Sequence, residues 1–215
     1  PKVLLAHDSY LYNGKYFDQT EKISKLENQL TSLEKTIVFT PDFKSWNLNS
    51  DYWIDFDMNP VDFNHPIWVL FSSGTTGKPK AITHGTGGIL IEQYKSLSLH
   101  QNISNEDRFF WNTTTGWMMW NYALGSLLCG AKLCLYDGAA NFPEIGVQWR
   151  FAKEAKINHF GNGSPLFIAS MKQNTKDVNE TALKNLKTIG ATGSPLSEDA
   201  FLWLQSKLPK TQIIS

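Results

Sequence analysis

The sequence predicts an α/β fold in which largely parallel sheets are covered by helices. Two observations carry that prediction. From residue 88 to the end of the chain, helical periodicity alternates with short β-rich runs, and an apolar strand, an amphipathic helix and a second strand open the chain. A third makes the fold globular: 215 residues with 41% hydrophobic and 19% charged content can bury a sizeable core.

The elements follow in order. An apolar run over residues 3–6 is the first strand, and Asn13-Gly14 is a turn. Ile23, Leu26, Leu30 and Leu33 recur at spacings of three, four and three, so they share one face of a helix over about 18–34. A β-rich run over 36–39 completes a β-α-β opening. Residues 40–66 turn to Pro, Asp, Asn and aromatics, including Trp46, Tyr52, Trp53, Phe56 and Phe63, and read as a long connection whose aromatics pack down. Residues 67–71 read as a buried strand, 72–80 as a loop and 81–83 as extended chain.

Helices over 88–100, 117–129, 144–155, 165–173 and 198–207 then alternate with strands over 108–112, 132–136, 157–160, 188–191 and 212–214. Ser164 is placed to cap a helix with Pro165 at its first position. Ser197 caps the next, with Glu198 and Asp199 facing the helix dipole. Ligands of such folds gather at loops beyond the carboxyl ends of the strands.

Composition excludes several function classes. Twenty Lys and Arg balance 20 Asp and Glu, which removes the broad electrostatic argument for a nucleic-acid or anionic-membrane partner. The longest apolar stretch, 122–136, contains Lys132 and falls short of the roughly 18–20 residues of a membrane span. The apolar run after Lys2 meets His7 and Asp8 too soon for a secretory signal. Cys129 and Cys134 are too few for a disulfide framework and read as core thiols in a reducing, cytoplasmic protein. Without a secretory signal, the sequons at Asn102, Asn112, Asn162 and Asn179 carry little weight. No nucleophile accompanies His84, His100 or His159 at a telling spacing, although His84 lies just beyond the loop described next. Asp55 with Asp57 and Glu198 with Asp199 read as solvated or capping, and no metal site is expected.

The chemistry concentrates in Ser72-Ser73-Gly74-Thr75-Thr76-Gly77-Lys78-Pro79-Lys80, which follows a hydrophobic run. Glycines let backbone N–H groups turn inward, hydroxyls add donors, and lysines supply compact positive charge, so the composition suits a polyphosphate cradle. It also suits a surface hairpin rich in turn residues. It is not a Walker A loop, because Pro79 stands where the second glycine belongs and no Gly-Lys-Ser/Thr follows. Gly85-Thr86-Gly87-Gly88 is not a dinucleotide fingerprint, since Leu90 occupies the last glycine position.

Residues 69–80 closely resemble the phosphate-loop signature of the adenylate-forming superfamily of acyl-CoA synthetases, luciferases and peptide-synthetase adenylation domains. The resemblance continues through Thr114-Thr115-Gly116-Trp117, where related members carry an acyl-pocket Gly-Trp, and Gly193-Ser194-Pro195-Leu196, which is similar to the segment lying along the adenine. Lys80 to His84, Gly87-Gly88 and residues 116–121 look most like the acetoacetate-activating branch.

The resemblance implies that a carboxylate attacks the α-phosphorus of Mg-ATP to give an acyl-adenylate and pyrophosphate, and that CoA thiol then displaces AMP. ATP, Mg²⁺ and CoA are thus the implied co-substrates, with a short carboxylic acid and a role in lipid metabolism. It implies that Ser72, Ser73, Gly74, Thr75, Thr76, Gly77, Lys78 and Lys80 bind phosphate, with Thr76 and Lys80 foremost. Gly193, Ser194 and Pro195 would line the adenine, and Trp117, Met118 and Met119 the acyl pocket. Ala81 replaces a glycine common in the superfamily, and Met118 and Met119 replace the Val and Thr of acetyl-type members, so an acetate, propionate or other short-acid substrate stays open, as does a non-catalytic nucleotide-binding module. The acidic residue near Mg²⁺, the ribose-binding Asp and the lysine-bearing C-terminal domain of the family are expected beyond Ser215. Residues 1–215 would then be a fragment of the N-terminal adenylation domain, without its remaining N-terminal region, and unable alone to make acyl-CoA.

Overall fold

The structure, a computed structural model, describes residues 1–40, 59–72 and 77–215 and divides into two compact units, 1–59 and 60–215. In the first, β1 (Val3–His7) and β4 (Lys35–Phe39) pair in parallel, Val3 opposite Lys35 and His7 opposite Phe39, with α1 (Thr20–Gln29) between them in sequence. The β-α-β opening is present with one insertion. Residues 9–18 form an antiparallel hairpin of β2 (Ser9–Tyr12) and β3 (Lys15–Asp18). Its turn is Asn13-Gly14, at φ 51° and 72°, the left-handed pair that matches the twist of the flanking strands.

That hairpin shortens the expected helix over 18–34. Asp18 ends β3, and its carboxylate accepts hydrogen bonds from the N–H and the hydroxyl of Thr20 at 2.8 and 2.7 Å, so helical geometry starts at Thr20. It ends before Leu30, whose ψ of 84° leaves the helical region. Ile23 is buried; Leu26, Leu30 and Leu33 are half-buried.

In the second unit β5 (Pro66–Ser72) and β6 (Lys80–Gly85) form a two-stranded antiparallel ladder. The expected buried strand over 67–71 is corrected: β5 alternates between exposed and half-buried residues, because a two-stranded ladder covers at most one face. Of the aromatics in the long connection, Trp46, Tyr52, Trp53 and Phe56 lie outside the described residues, as do Asp55 and Asp57. Phe63 stays 59% exposed, although its ring covers Gly87 so closely that a Cβ there would overlap it.

After α2 (Thr86–Tyr94) and a π-helical turn (Lys95–His100), one parallel sheet forms from β7 (Arg108–Trp111), β8 (Lys132–Leu133), β9 (His159–Gly163), β10 (Thr188–Thr192) and β11 (Gln212–Ile214). Its order is β11-β10-β9-β7-β8. The intervening helices are α3 (Met118–Gly125), running into a 3₁₀ turn (Ser126–Cys129), α4 (Val147–Glu154), α5 (Ser164–Lys172) and α6 (Glu198–Lys207). Every expected element of this region exists. The strand expected over 132–136 pairs only at two residues, and the helix expected over 117–129 tightens into a 3₁₀ turn that Gly130 ends at φ 75°.

The two faces of this sheet are read from β7. Phe109 and Trp111 belong to a cluster with Leu97, Met119 and Ala123, whereas Phe110 belongs to a second with Trp149, Phe160, Phe167 and Ile189. Alternate residues therefore serve opposite helix layers. Cys134 and Cys129, both free and half-buried, pack against the two clusters, and burial pushes both thiols upward in pKa.

An ionic group pins the amino ends of the strands. The buried Asp107 carboxylate accepts from the N–H and hydroxyl of Ser104 at 2.9 Å each and from the Lys187 ammonium at 2.6 Å, and the buried His159 Nε2 stands 3.6 Å away. Burial pushes the Asp107 pKa up, but Lys187 and the two Ser104 donors outweigh it and leave the carboxyl below its ordinary value. Burial pulls His159 down, and Asp107 only partly opposes that. His159 is therefore a buried imidazole kept neutral.

Candidate functional site

The Gly- and Ser/Thr-rich loop joins β5 to β6. Its ends are set by the ladder register, in which Ser72 is paired with Lys80 and Phe71 with Ala81. Ser73, Gly74, Thr75 and Thr76 lie outside the described residues. Gly77 has φ 153°, with nothing within 4 Å of where a Cβ would stand. Lys78 and Lys80 are exposed. Each arginine, in contrast, is held by the scaffold: Arg108 donates to the Ala155 carbonyl at 3.2 Å, and Arg150 pairs with Glu144 at 2.8 Å and Asp177 at 3.0 Å.

At the carboxyl ends of the parallel strands two further predicted segments meet. Gly193, at φ 84°, follows β10, and a Cβ there would stand 3.8 Å from the Trp117 indole, an ordinary contact distance. Residues predicted for the adenine and for the acyl wall are thus neighbours. Trp117 adopts extended geometry (φ −111°, ψ 146°) at the start of α3, and its N–H donates to the Thr114 carbonyl at 3.2 Å.

Ser164 departs from its expected role. Gly163 occupies the capping position of α5, and Ser164 is the first helical residue. Its hydroxyl donates instead to the Ser194 carbonyl at 2.5 Å, tying the 193–195 segment to α5. Pro165 sits in the first turn as expected, where a missing N–H costs nothing. Ser197 does cap α6, accepting from the Ala200 N–H at 3.4 Å, with Glu198 and Asp199 in the first turn.

The three predicted acyl-pocket residues separate. Met119 is 8% exposed and sits in the core with Phe109 and Trp111, whereas Met118 is 50% exposed and lines a cavity of about 220 Å³. Trp68, Leu70, Ile89 and Tyr122 supply the apolar walls of that cavity, and His84, Glu92, Gln93, Ser96 and Asn121 polar ones. His84 Nδ1 accepts from the Trp68 indole N–H at 2.9 Å, which leaves Nε2 as the protonated ring nitrogen. The Tyr122 hydroxyl accepts from Gln101 at 2.5 Å, and burial pushes its pKa to about 12, so it stays a neutral phenol.

Sequence reasoning missed a buried polar group at the same edge of the sheet. Gln148 of α4 donates to the Asn112 side chain at 2.9 Å, Asn112 donates to Asn162 at 3.4 Å, and Asn162 donates back to Gln148 at 2.6 Å. Amides at the ends of β7 and β9 are legible in sequence only as sequons, and the burial of Asn162 leaves no room for a glycan there. Among the described residues no group of three or more His, Cys, Asp and Glu could hold a metal ion, and no helix is long and apolar enough to cross a membrane.

The chain is similar to known proteins in sequence and in fold. Acetoacetyl-CoA synthetase of Danio rerio is 32% identical over 96% of this chain and 33% of its own length, and acetoacetyl-coenzyme A synthetase of Rhizobium meliloti (strain 1021) is 32% identical over 100% and 35%. Acetoacetyl-CoA synthetase from Streptomyces lividans superposes with a TM-score of 0.84 at 36% identity, covering 99% of this chain and 35% of that one. The chain therefore spans about a third of the length of the relatives it matches. The family described as AMP-binding enzyme matches residues 1–215, and the chain belongs to that family.

Proposed function

We propose that these residues form the nucleotide-binding centre of the N-terminal domain of an ATP-dependent acid–thiol ligase that activates acetoacetate as an acyl-adenylate and passes the acyl group to CoA. The observation that carries the reading is the phosphate-type loop at the β5–β6 turn, with Lys78 and Lys80 as its exposed cations.

A carboxylate is a poor acyl donor because its oxygen is a poor leaving group, and esterification to AMP corrects that. The loop's N–H groups, hydroxyls and lysines hold the β- and γ-phosphates in line and stabilise charge building toward pyrophosphate. Glycine at 193 keeps the backbone close to the adenine face, while Trp117 beside it walls the acyl carboxylate. When bound, Mg²⁺ would come in with ATP and would lower the phosphate charge; among the described residues no group of three or more His, Cys, Asp and Glu would hold it.

Met118 beside a small, mainly apolar cavity favours a short acid with a polar end, since a thioether bends around irregular ligands. Met118 stands where acetyl-type members carry Val, a change that reshapes the cavity wall for a different short acid, and the overall resemblance to the acetoacetate-activating branch is what favours acetoacetate. Two free thiols support a reducing, cytoplasmic setting. ATP–pyrophosphate exchange by the full-length protein across acetoacetate, acetate, propionate and butyrate tests the reading. Fastest exchange with acetoacetate is expected. Faster exchange with another acid moves the substrate, and nucleotide binding without exchange makes the protein a binding module.

A further inference from the structure

We propose that Gln148 is a positioning residue, which sets the spacing between residues 113–117 and residues 193–195 through the ring of three amides; the role assigned to that spacing rests on the function proposed above. The ring runs in one sense. Gln148 Nε2 donates to Asn112 Oδ1 at 2.9 Å, Asn112 Nδ2 to Asn162 Oδ1 at 3.4 Å, and Asn162 Nδ2 to Gln148 Oε1 at 2.6 Å. Each amide gives one proton and accepts one, so each bond polarises the next. Gln148 and Asn162 are buried, so opening the ring strands amides that water cannot satisfy.

The ring is fastened to the backbone at two strands. Asn162 Oδ1 also accepts from the Gly163 N–H at 2.9 Å, and the Asn112 N–H donates to the Gly161 carbonyl at 2.9 Å, extending the β7–β9 ladder by one rung. From Asn112 the chain proceeds directly to Thr113 and on to Trp117. From Asn162 it proceeds to Ser164, whose hydroxyl holds the Ser194 carbonyl. Gly193 then stands beside the Trp117 ring, which closes the circuit. Two loops from different strands thus share one origin, and α4 reaches that origin through the Gln148 side chain. A loop displacement of the order of an ångström at such a site lowers turnover by about a hundredfold.

The test uses the full-length protein with Gln148→Met, which keeps the shape and removes both hydrogen bonds, and Asn112→Ala, which opens the ring at its half-buried corner if the first variant folds poorly. Hydrogen exchange without substrate is expected to quicken in both 113–117 and 193–196. Quickening confined to α4, 112 and 162, or spread evenly over the sheet, overturns the proposal. Pyrophosphate exchange, measured well below each variant's melting temperature, is expected to lose about a hundredfold in kcat with a much smaller change in KM for ATP. An unchanged kcat, or a loss matching the unfolded fraction, also overturns it. Wild-type protein that exchanges with no acid refutes the functional reading instead, and hydrogen exchange then decides the ring by itself.

Discussion

The indole of Trp111 lies flat over Gly161, its register partner on β9, so closely that a Cβ at 161 would overlap the ring, and it reaches Gly190 on the next strand as well. Two glycines inside parallel strands are costly unless something occupies the space, and here the largest side chain does. Gly161→Ala is expected to destabilise the second unit by about 1–3 kcal/mol, because the buried ring has nowhere to move. Trp111→Leu in the same chain should recover part of that loss, a coupling that urea titration of the four forms of the cycle measures.

Stability should fall on acidification through the group at the amino ends of the strands. Above its ordinary value of 6.5, His159 is neutral in folded and unfolded chains alike and adds no pH dependence. Below 6.5 the unfolded chain takes the proton first, because the folded pKa is lowered, so stability declines until the folded imidazole titrates too. Asp107 acts lower: its stabilisation is complete above 3.8 and is lost as pH drops through its lowered folded pKa. Denaturant unfolding between pH 8 and 5 should show the first decline, and His159→Gln should flatten it.

Lys80→Ala is expected to slow ATP–pyrophosphate exchange of the full-length protein by about a hundredfold or more, the size of one lost charge-stabilising donor. Lys80 is exposed and opens β6, so circular dichroism and melting temperature should hold nearly constant. Equal loss of exchange and of folded protein would remove Lys80 from the phosphate site.

Met118 and Met119 should separate cleanly. Met118→Ala enlarges the cavity and is expected to shift the ratio of kcat/KM between acetoacetate and a longer acid by about tenfold, with little change in melting temperature. Met119→Ala empties a core position and is expected to lower stability by about 2–5 kcal/mol. Acid panels and thermal melts on the two variants check both outcomes.

The parallel sheet was legible because its strands are short β-rich runs separated by helical periodicity, a local pattern that survives in any context. The β2–β3 hairpin was legible only as its turn: Tyr10, Leu11, Tyr16 and Phe17 do not alternate in polarity, so nothing local marked them as paired strands. Ser164 read as a cap because its neighbours fit one, yet a carbonyl 30 positions along the chain captured its hydroxyl. Met118 and Met119 are chemically identical in sequence, and the step of about 100° between adjacent helix positions sends one to the cavity and the other to the core.

Sequence by itself determined the α/β class, the order of the sheet-forming elements and the loop chemistry of residues 72–80, since periodicity, turn residues and clustered hydroxyls, glycines and lysines are properties of neighbouring positions. Tertiary structure alone decided that Gly193 lies against Trp117, that Trp111 lies over Gly161, and that Asn112, Gln148 and Asn162 close a ring. Those relationships join residues 14 to 76 positions apart, and only the pairing of β7, β9 and β10 brings the strand ends to one edge of the sheet, where burial obliges the amides of Gln148 and Asn162 to find partners.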